Sequence, residues 1–302
     1  MKQNKIPKTD LNVSEICLGT MTFGSPVGKK KACHLIEKAI DMGVNFIDTA
    51  NMYEGYTRVQ GSAGGVAEKI IGEALKGKRD QVVLSTKIGM CVGTAREDKG
   101  TSPAAIRKHL ELSLKRLNTD FVDIYYLHSP DPDTPIIEVL DELDRVIHQG
   151  KVRYYGISNF SVEQLNNLLT TADENKLPRP VICQPALSML KQDALEDLLP
   201  FCDKQHIAVA PYQVLQGGLL TGKYRRGDQL PENSRKAEKG DWMWEMTEEL
   251  YSKLDEIEIQ VENKNLSMTQ YAIRWVLEQP AVVTAILGVT RLEQLEDIIL
   301  AL

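Results

Sequence analysis

Short apolar runs alternate along the chain with longer stretches in which apolar residues recur every three to four positions. The runs read as strands at 14–20, 44–48, 81–87, 121–128, 152–158, 180–185, 207–212 and 282–287. The stretches between them carry the helical period. In KKACHLIEKAIDMG, Ala32, Leu35, Ile36, Ala39 and Ile40 share one face, and Gly43 supplies a stop. Ser102 before Pro103, Thr134 before Pro135, and Ser161 mark three helix starts, with Gly150 closing the second. QDALEDLLPFCDK and LSMTQYAIRWVLEQ read as further helices.

Strict alternation of strand and helix predicts a parallel sheet. Eight such units fit a closed α/β TIM barrel, (β/α)8, of about 250 residues. A doubly wound open sheet is the alternative. The chain has 302 residues, and the surplus has two places to go. An N-terminal hairpin, IPK–TDLN–VSE, is placed to plug the barrel floor. The stretch 223–265 reads as a charged loop and an extra helix after strand 7, WMWEMTEELYSKLDEIEIQVENK. No linker or low-complexity break intervenes, which predicts a single domain over 1–302.

Composition changes this picture little. A formal charge of −6 speaks against a nucleic-acid binder, which carries a basic stripe. The five cysteines, at 17, 33, 91, 183 and 202, show no CxxC spacing and suit reduced thiols in a cytoplasmic protein. The five histidines form no metal-ligand pattern, so no metal is expected. The opening MKQNKIPKTD is too polar for a signal peptide, and no apolar run predicts a membrane partner. Nothing in the sequence sets an oligomeric state.

The chemistry gathers at strand ends, where barrels place their reactive groups. Strand 2 ends in Asp48, with Tyr53 just beyond; strand 3 ends in Lys87 and strand 4 in His128. Neighbouring strands lie about 4.8 Å apart, so the four side chains can share one pocket. A lysine ammonium beside a phenol favours the phenolate and lowers its pKa. A carboxylate beside that lysine keeps its charge in a partly buried site, and a histidine orients a carbonyl oxygen or relays a proton. Such a set delivers a proton to an oxygen gaining negative charge. It contains no hydride, so a reduction requires a cofactor.

With these residues in place, the sequence resembles the aldo-keto reductase superfamily over nearly its whole length. The likeness rests on LGTMTFG (18–24), NFIDTANMY (45–53), VVLSTK (82–87), LKRLNTDFVDIYYLH (114–128), GKVRYYGISNF (150–160), YQVLQGGLLTGKY (212–224) and GVTRLEQLED (288–297). The resemblance implies the same barrel and hydride transfer between NADPH and an aldehyde or ketone, in either direction, with NADH possible. It implies Tyr53 as general acid, Lys87 as its acidifier, Asp48 as the lysine's partner and His128 as substrate orienter.

No GxGxxG follows the first strand, and GSAGG at 61–65 reads as a turn rather than a phosphate cradle. The resemblance instead stacks the nicotinamide on Tyr212, borders it with Gly19, Thr20 and Met21, and holds its carboxamide with Ser158, Asn159 and Gln184. The pyrophosphate would follow Leu215, Gly217, Leu219 and Lys223; Gly288, Arg291 and Gln294 would receive the adenosine end at a helix N-terminus. Two departures stand out. Gln213 and Val214 replace the Ser-Pro of many relatives, and Asp297 and Ile298 replace a Glu-Asn near the adenine. The second change removes an amide from the adenine edge.

The expected substrate is a small carbonyl compound, aldehyde, ketone or sugar. Its pocket would be bounded by Phe23, Met52, Tyr56 and Met90, with Cys91, Ser129, Trp242 and Trp244 as further rim candidates. The chain stops at its last helix, which predicts an open mouth. Two other readings use the same residues: a Schiff-base lyase acting through Lys87, and an NADPH-binding regulatory or sensor subunit with slow turnover, as some relatives serve channels.

Overall fold

The computed structural model describes residues 1–262 and 264–302. Strands β1 (Gln3–Lys5) and β2 (Asn12–Ser14) pair antiparallel as the predicted hairpin. The eight strands that follow are β3 (Ile16–Gly19), β4 (Phe46–Asp48), β5 (Val83–Ile88), β6 (Val122–Leu127), β7 (Val152–Ser158), β8 (Ile182–Gln184), β9 (Ala208–Val209) and β10 (Ala285–Gly288). They form one parallel sheet in the order β10-β3-β4-β5-β6-β7-β8-β9. The ends meet: Val209 N donates to Ala281 O at 2.8 Å, Val283 N to Val209 O at 3.0 Å, and Ile286 N to Pro211 O at 2.9 Å. The sheet is a closed (β/α)8 barrel, and the open doubly wound alternative is set aside.

The helices outside it are α1 (Lys29–Asp41), α2 (Val66–Ala74), α3 (Pro103–Leu117), α4 (Ile136–His148), α5 (Val162–Asn175), α6 (Leu198–Gln205), α7 (Arg235–Glu238), α8 (Glu248–Glu262), α9 (Met268–Leu277) and α10 (Leu292–Ile299). Ser102 and Ser161 accept from Ala105 N and Gln164 N as the predicted caps. Thr134 does not cap α4: its hydroxyl donates to Asp131, 2.8 Å away, and the helix begins after Pro135. The extra helix starts at Glu248 rather than Trp242, because 240–242 forms a separate 3-10 turn; Asn263 of the expected stretch lies outside the described residues. Strand 7 pairs over only two residues, and the last strand starts at Ala285 rather than at 282.

Alternation along each strand separates two cores. Ile16, Leu18, Ile47, Leu84, Tyr125, Leu127 and Ile157 face outward against the helices. Cys17, Phe46, Val83, Ile124, Tyr126, Ile182 and Ile286 face inward, joined by the hairpin's Ile6, Leu11 and Val13. The hairpin therefore closes the floor with apolar side chains. Asn45 ties it down, accepting from Ser14 N at 2.7 Å and donating to Asn12 O at 2.9 Å. The same parity carries upward: Asp48 continues the inward row of Phe46, Lys87 that of Val83 and Ser85, and Ser158 that of Gly156. Gly156 is required there, since a Cβ would sit 2.5 Å from the Tyr126 ring.

Candidate active site

The top inward layer collects the predicted groups. Asp48 is level with Ser85 in the β4–β5 register, and Lys87 stands two residues further on, so its side chain reaches back over the carboxylate. Lys87 Nζ lies 2.5 Å from Asp48 Oδ2, 2.8 Å from Thr49 O and 3.3 Å from the Tyr53 hydroxyl. Lys87 is wholly buried and Asp48 nearly so. Asp48 Oδ1 accepts from Ser85 Oγ at 2.7 Å and Gln184 Nε2 at 3.1 Å, so both carboxylate oxygens are engaged. His128 follows β6, with its ring edge-on to Tyr53 at a centroid distance of 6.0 Å. The buried His128 Nδ1 has no hydrogen-bond partner among the described residues.

The electrostatics correct one expectation. Burial raises the Tyr53 phenol above its ordinary value; the Lys87 ammonium pulls it down without overcoming burial. Burial alone would lower the pKa of Lys87, but the Asp48 carboxylate and the Tyr53 oxygen together raise it. Burial, followed by the charges of Lys87 and Arg58, keeps His128 well below its usual range and therefore neutral. The site is thus a neutral phenol and a neutral imidazole around one ion pair.

Beside this group Tyr212 donates to Asn159 Oδ1 at 2.7 Å, and Asn159 Nδ2 donates to His128 O at 2.8 Å. Ser158 Oγ donates to Gln184 O at 2.8 Å. Tyr212, Asn159, Ser158 and Gln184 form one connected wall, with Asn159 in the left-handed region at φ 62°. Thr20 N and Oγ1 both donate to Asp48 O, at 3.1 and 2.9 Å, fixing Gly19 and Met21 on the adjacent rim.

Lys223, half-buried, has its pKa lowered by burial and then by the nearby charges of Arg291 and Arg235. Gly217 and Gly218 take positive φ, and a Cβ on Gly218 would meet Lys223 Nζ at 2.8 Å. Gly288 is exposed above Gly19, where a Cβ would come within 3.5 Å of Gly19 O. Leu215 is partly buried, whereas the Leu219 side chain is enclosed with Leu220, Tyr224 and Leu250, leaving only its backbone available. Gln294 Oε1 accepts from Thr290 N at 2.8 Å and caps its own turn. At the departures, Ile298 packs in the core and Asp297 accepts from Gln270.

Of the expected rim, Met52, Tyr56, Met90 and Ser129 are half-buried and Cys91 is exposed. Phe23 does not line the mouth. It is wholly buried, because the 20–27 loop folds inward through Phe23 N to Thr20 O and Gly24 N to Val27 O. Trp242, at the end of the 3-10 turn 240–242, meets Tyr56 edge-on at 5.6 Å, and both Trp242 and Trp244 are exposed. Arg235 Nε donates to the Tyr56 hydroxyl at 3.2 Å, tying the segment after β9 to the loop after β4. Sequence reasoning missed this tie and the role of Ser85. Ser85 shares the parity of Lys87 and was findable; the Arg235 contact spans 179 residues and left no local signal.

These features agree with comparisons to known proteins. The Aldo/keto reductase family model matches residues 15–302. An oxidoreductase of Bacillus subtilis (strain 168), YrpG, described as uncharacterized, is 34% identical over 100% of this chain and 91% of its own. A probable voltage-gated potassium channel subunit beta of Arabidopsis thaliana is 32% identical over 98% of this chain and 90% of its own. The structure of a glycerol dehydrogenase from Gluconobacter oxydans superposes with a TM-score of 0.82 at 31% identity, covering 98% of this chain and 89% of that one. The chain belongs to the aldo/keto reductase family and is an oxidoreductase.

Proposed function

We propose that the protein reduces a small aldehyde or ketone to an alcohol, or runs the reverse, with NADPH as its preferred partner and Tyr53 as general acid. The carrying observation is the Lys87 ammonium, held at 2.5 Å from Asp48 and 3.3 Å from the Tyr53 hydroxyl. The bound dinucleotide supplies the hydride.

The residues present fit such a group. Tyr212 is a half-exposed ring already held by Asn159, a suitable platform for a flat heterocycle. Lys223, Arg291 and Arg235 concentrate positive charge that phosphates would neutralise. Gly217, Gly218 and Gly288 present backbone without side chains beside them. The third cation favours a dinucleotide with an extra phosphate over NADH.

At the substrate end Tyr53 gives its proton to the carbonyl oxygen. The phenolate that remains is stabilised by the Lys87 ammonium, whose own charge Asp48 maintains. The raised phenol pKa keeps the proton in place until an oxygen gaining negative charge calls for it. Neutral His128 orients that oxygen without competing as an acid. Free thiols throughout fit a reducing cytoplasm.

The test is a carbonyl panel with NADPH and NADH side by side, read as loss of reduced-nicotinamide absorbance. Turnover with wild type and none with Tyr53→Phe supports the assignment; equal turnover in both refutes it. A second reading, a nucleotide-sensing subunit, draws on the plant channel relative. Tight NADPH binding without turnover across the panel would favour it. The Schiff-base reading is disfavoured by the same geometry, since an ion-paired ammonium is a poor nucleophile.

A further inference from the structure

Arg58 has no part in the scheme above, and its position gives it one. It sits in the loop between β4 and α2. Its Nη1 donates to Met52 O at 2.9 Å and, at 3.5 Å, to Ser62 Oγ; its Nη2 donates to Cys91 O. Those two carbonyls belong to the loops that follow β4 and β5. The guanidinium is therefore pinned across the mouth, one residue from Tyr53 on one side and beside the Lys87 loop on the other. After burial and the Lys87 charge, its own charge helps hold His128 neutral.

Among the described residues Arg58 makes no ion pair. Glu54, the acid of the same loop, has its Oε2 occupied by the Ser62 hydroxyl. A guanidinium carries five N–H donors. The three contacts above leave Nε and one Nη2 hydrogen unspent, two donors available to a carboxylate or phosphate. A half-buried cation without a counter-ion is costly, and an arriving oxyanion removes that cost. The cations proposed for the dinucleotide, Lys223, Arg235 and Arg291, belong to segments after β9 and β10, so Arg58 is left for the substrate.

We propose that Arg58 is a specificity residue that selects carbonyl substrates bearing an oxyanion, carboxylate or phosphate, a few bonds from the reacting carbon. This rests on the reductase reading. It predicts that semialdehydes of short acids or phosphorylated aldehydes outcompete their neutral counterparts. A lysine at this position would keep only part of the preference, since its point charge cannot hold both oxygens while bracing two loops.

The experiment compares kcat/KM for matched pairs: succinic semialdehyde against butanal, and glyceraldehyde 3-phosphate against glyceraldehyde. In wild type the anionic member should lead by about 10- to 100-fold, the range of one charge-assisted contact. Arg58→Gln should collapse that ratio toward one, and Arg58→Lys should restore part of it. A wild-type ratio near one, or a ratio unchanged in Arg58→Gln, overturns the proposal. Binding of succinate, which cannot be reduced, is followed by calorimetry in the same proteins. If neither member of a pair is turned over, the reductase reading falls. Succinate binding present in wild type and Arg58→Lys but lost in Arg58→Gln would still uphold the anion pocket, and its absence from wild type would end it.

Discussion

Replacing Lys87 by Met removes the ammonium and keeps much of the side-chain volume. The pair is enclosed, with side-chain exposures of 0% for Lys87 and 3% for Asp48. A buried charge whose partner is removed costs about 3–5 kcal/mol. Two donors remain on Asp48 Oδ1, Ser85 Oγ and Gln184 Nε2, which holds the loss toward the low end of that range. Thr49 O also loses its lysine donor, so we expect a net destabilisation of about 3–4 kcal/mol. Urea unfolding followed by far-ultraviolet circular dichroism measures it, provided the slope stays constant. Adding Asp48→Asn to Lys87→Met removes the stranded carboxylate. The double variant should recover at least about 2 kcal/mol of stability while remaining inactive. A Lys87→Met protein within about 1 kcal/mol of wild type, or a double variant less stable than the single, would refute the idea that one enclosed ion pair organises the mouth.

Other outcomes follow from the same geometry. Tyr53→Phe should lower kcat for reduction by about 10²- to 10⁴-fold and leave the dinucleotide Kd within a few-fold; comparable kcat would remove the phenol from the chemistry. His128 is held neutral in the fold, well below its ordinary 6.5. The unfolded chain binds a proton there as pH falls through that value while the folded one does not. Stability is therefore complete above it and declines on acidification by up to about 1.4 kcal/mol per pH unit from this group. His128→Gln should flatten that part of the curve; buried His109, also depressed, contributes a separate slope that the variant retains. Arg291→Ala should weaken NADPH binding more than NADH binding, by about tenfold in the ratio of Kd values; equal weakening would detach Arg291 from the extra phosphate.

The barrel was legible because its strands are short, apolar and evenly punctuated, and because period-two parity decides which side chains face inward. Asp48, Lys87 and His128 could be placed together because each closes a neighbouring strand; Ser158 and Gln184 joined them only through the family resemblance. Ser102 and Ser161 were readable as caps because capping is decided within four residues. Thr134 looked the same locally, but Asp131 had already engaged its hydroxyl. Loops gave less. Nothing in TMTFG distinguishes a phenylalanine at the mouth from one folded under it, and the main-chain hydrogen bonds of the 20–27 loop that bury Phe23 have no sequence pattern. The brief pairing of β9 depends on partners at 281–283, which its own residues do not encode. The direction of the Tyr53 shift was hidden too. The lysine's pull is visible as a nearby residue type, whereas the opposing loss of hydration belongs to the assembled mouth.

The N-terminal hairpin gives the reaction a single doorway for protons. Ile6, Leu11 and Val13 complete an apolar layer with Phe46, Ile124 and Tyr126 beneath the Asp48–Lys87 pair. Apart from the Tyr126 hydroxyl these side chains offer a proton no relay, so a Tyr53 oxygen that has given up its hydrogen is best resupplied from above, past whatever ligand is there. Re-protonation then has to wait its turn in the order of arrivals and departures. Isotope exchange in heavy water, slow while the mouth is filled and fast once it empties, is how that ordering would appear.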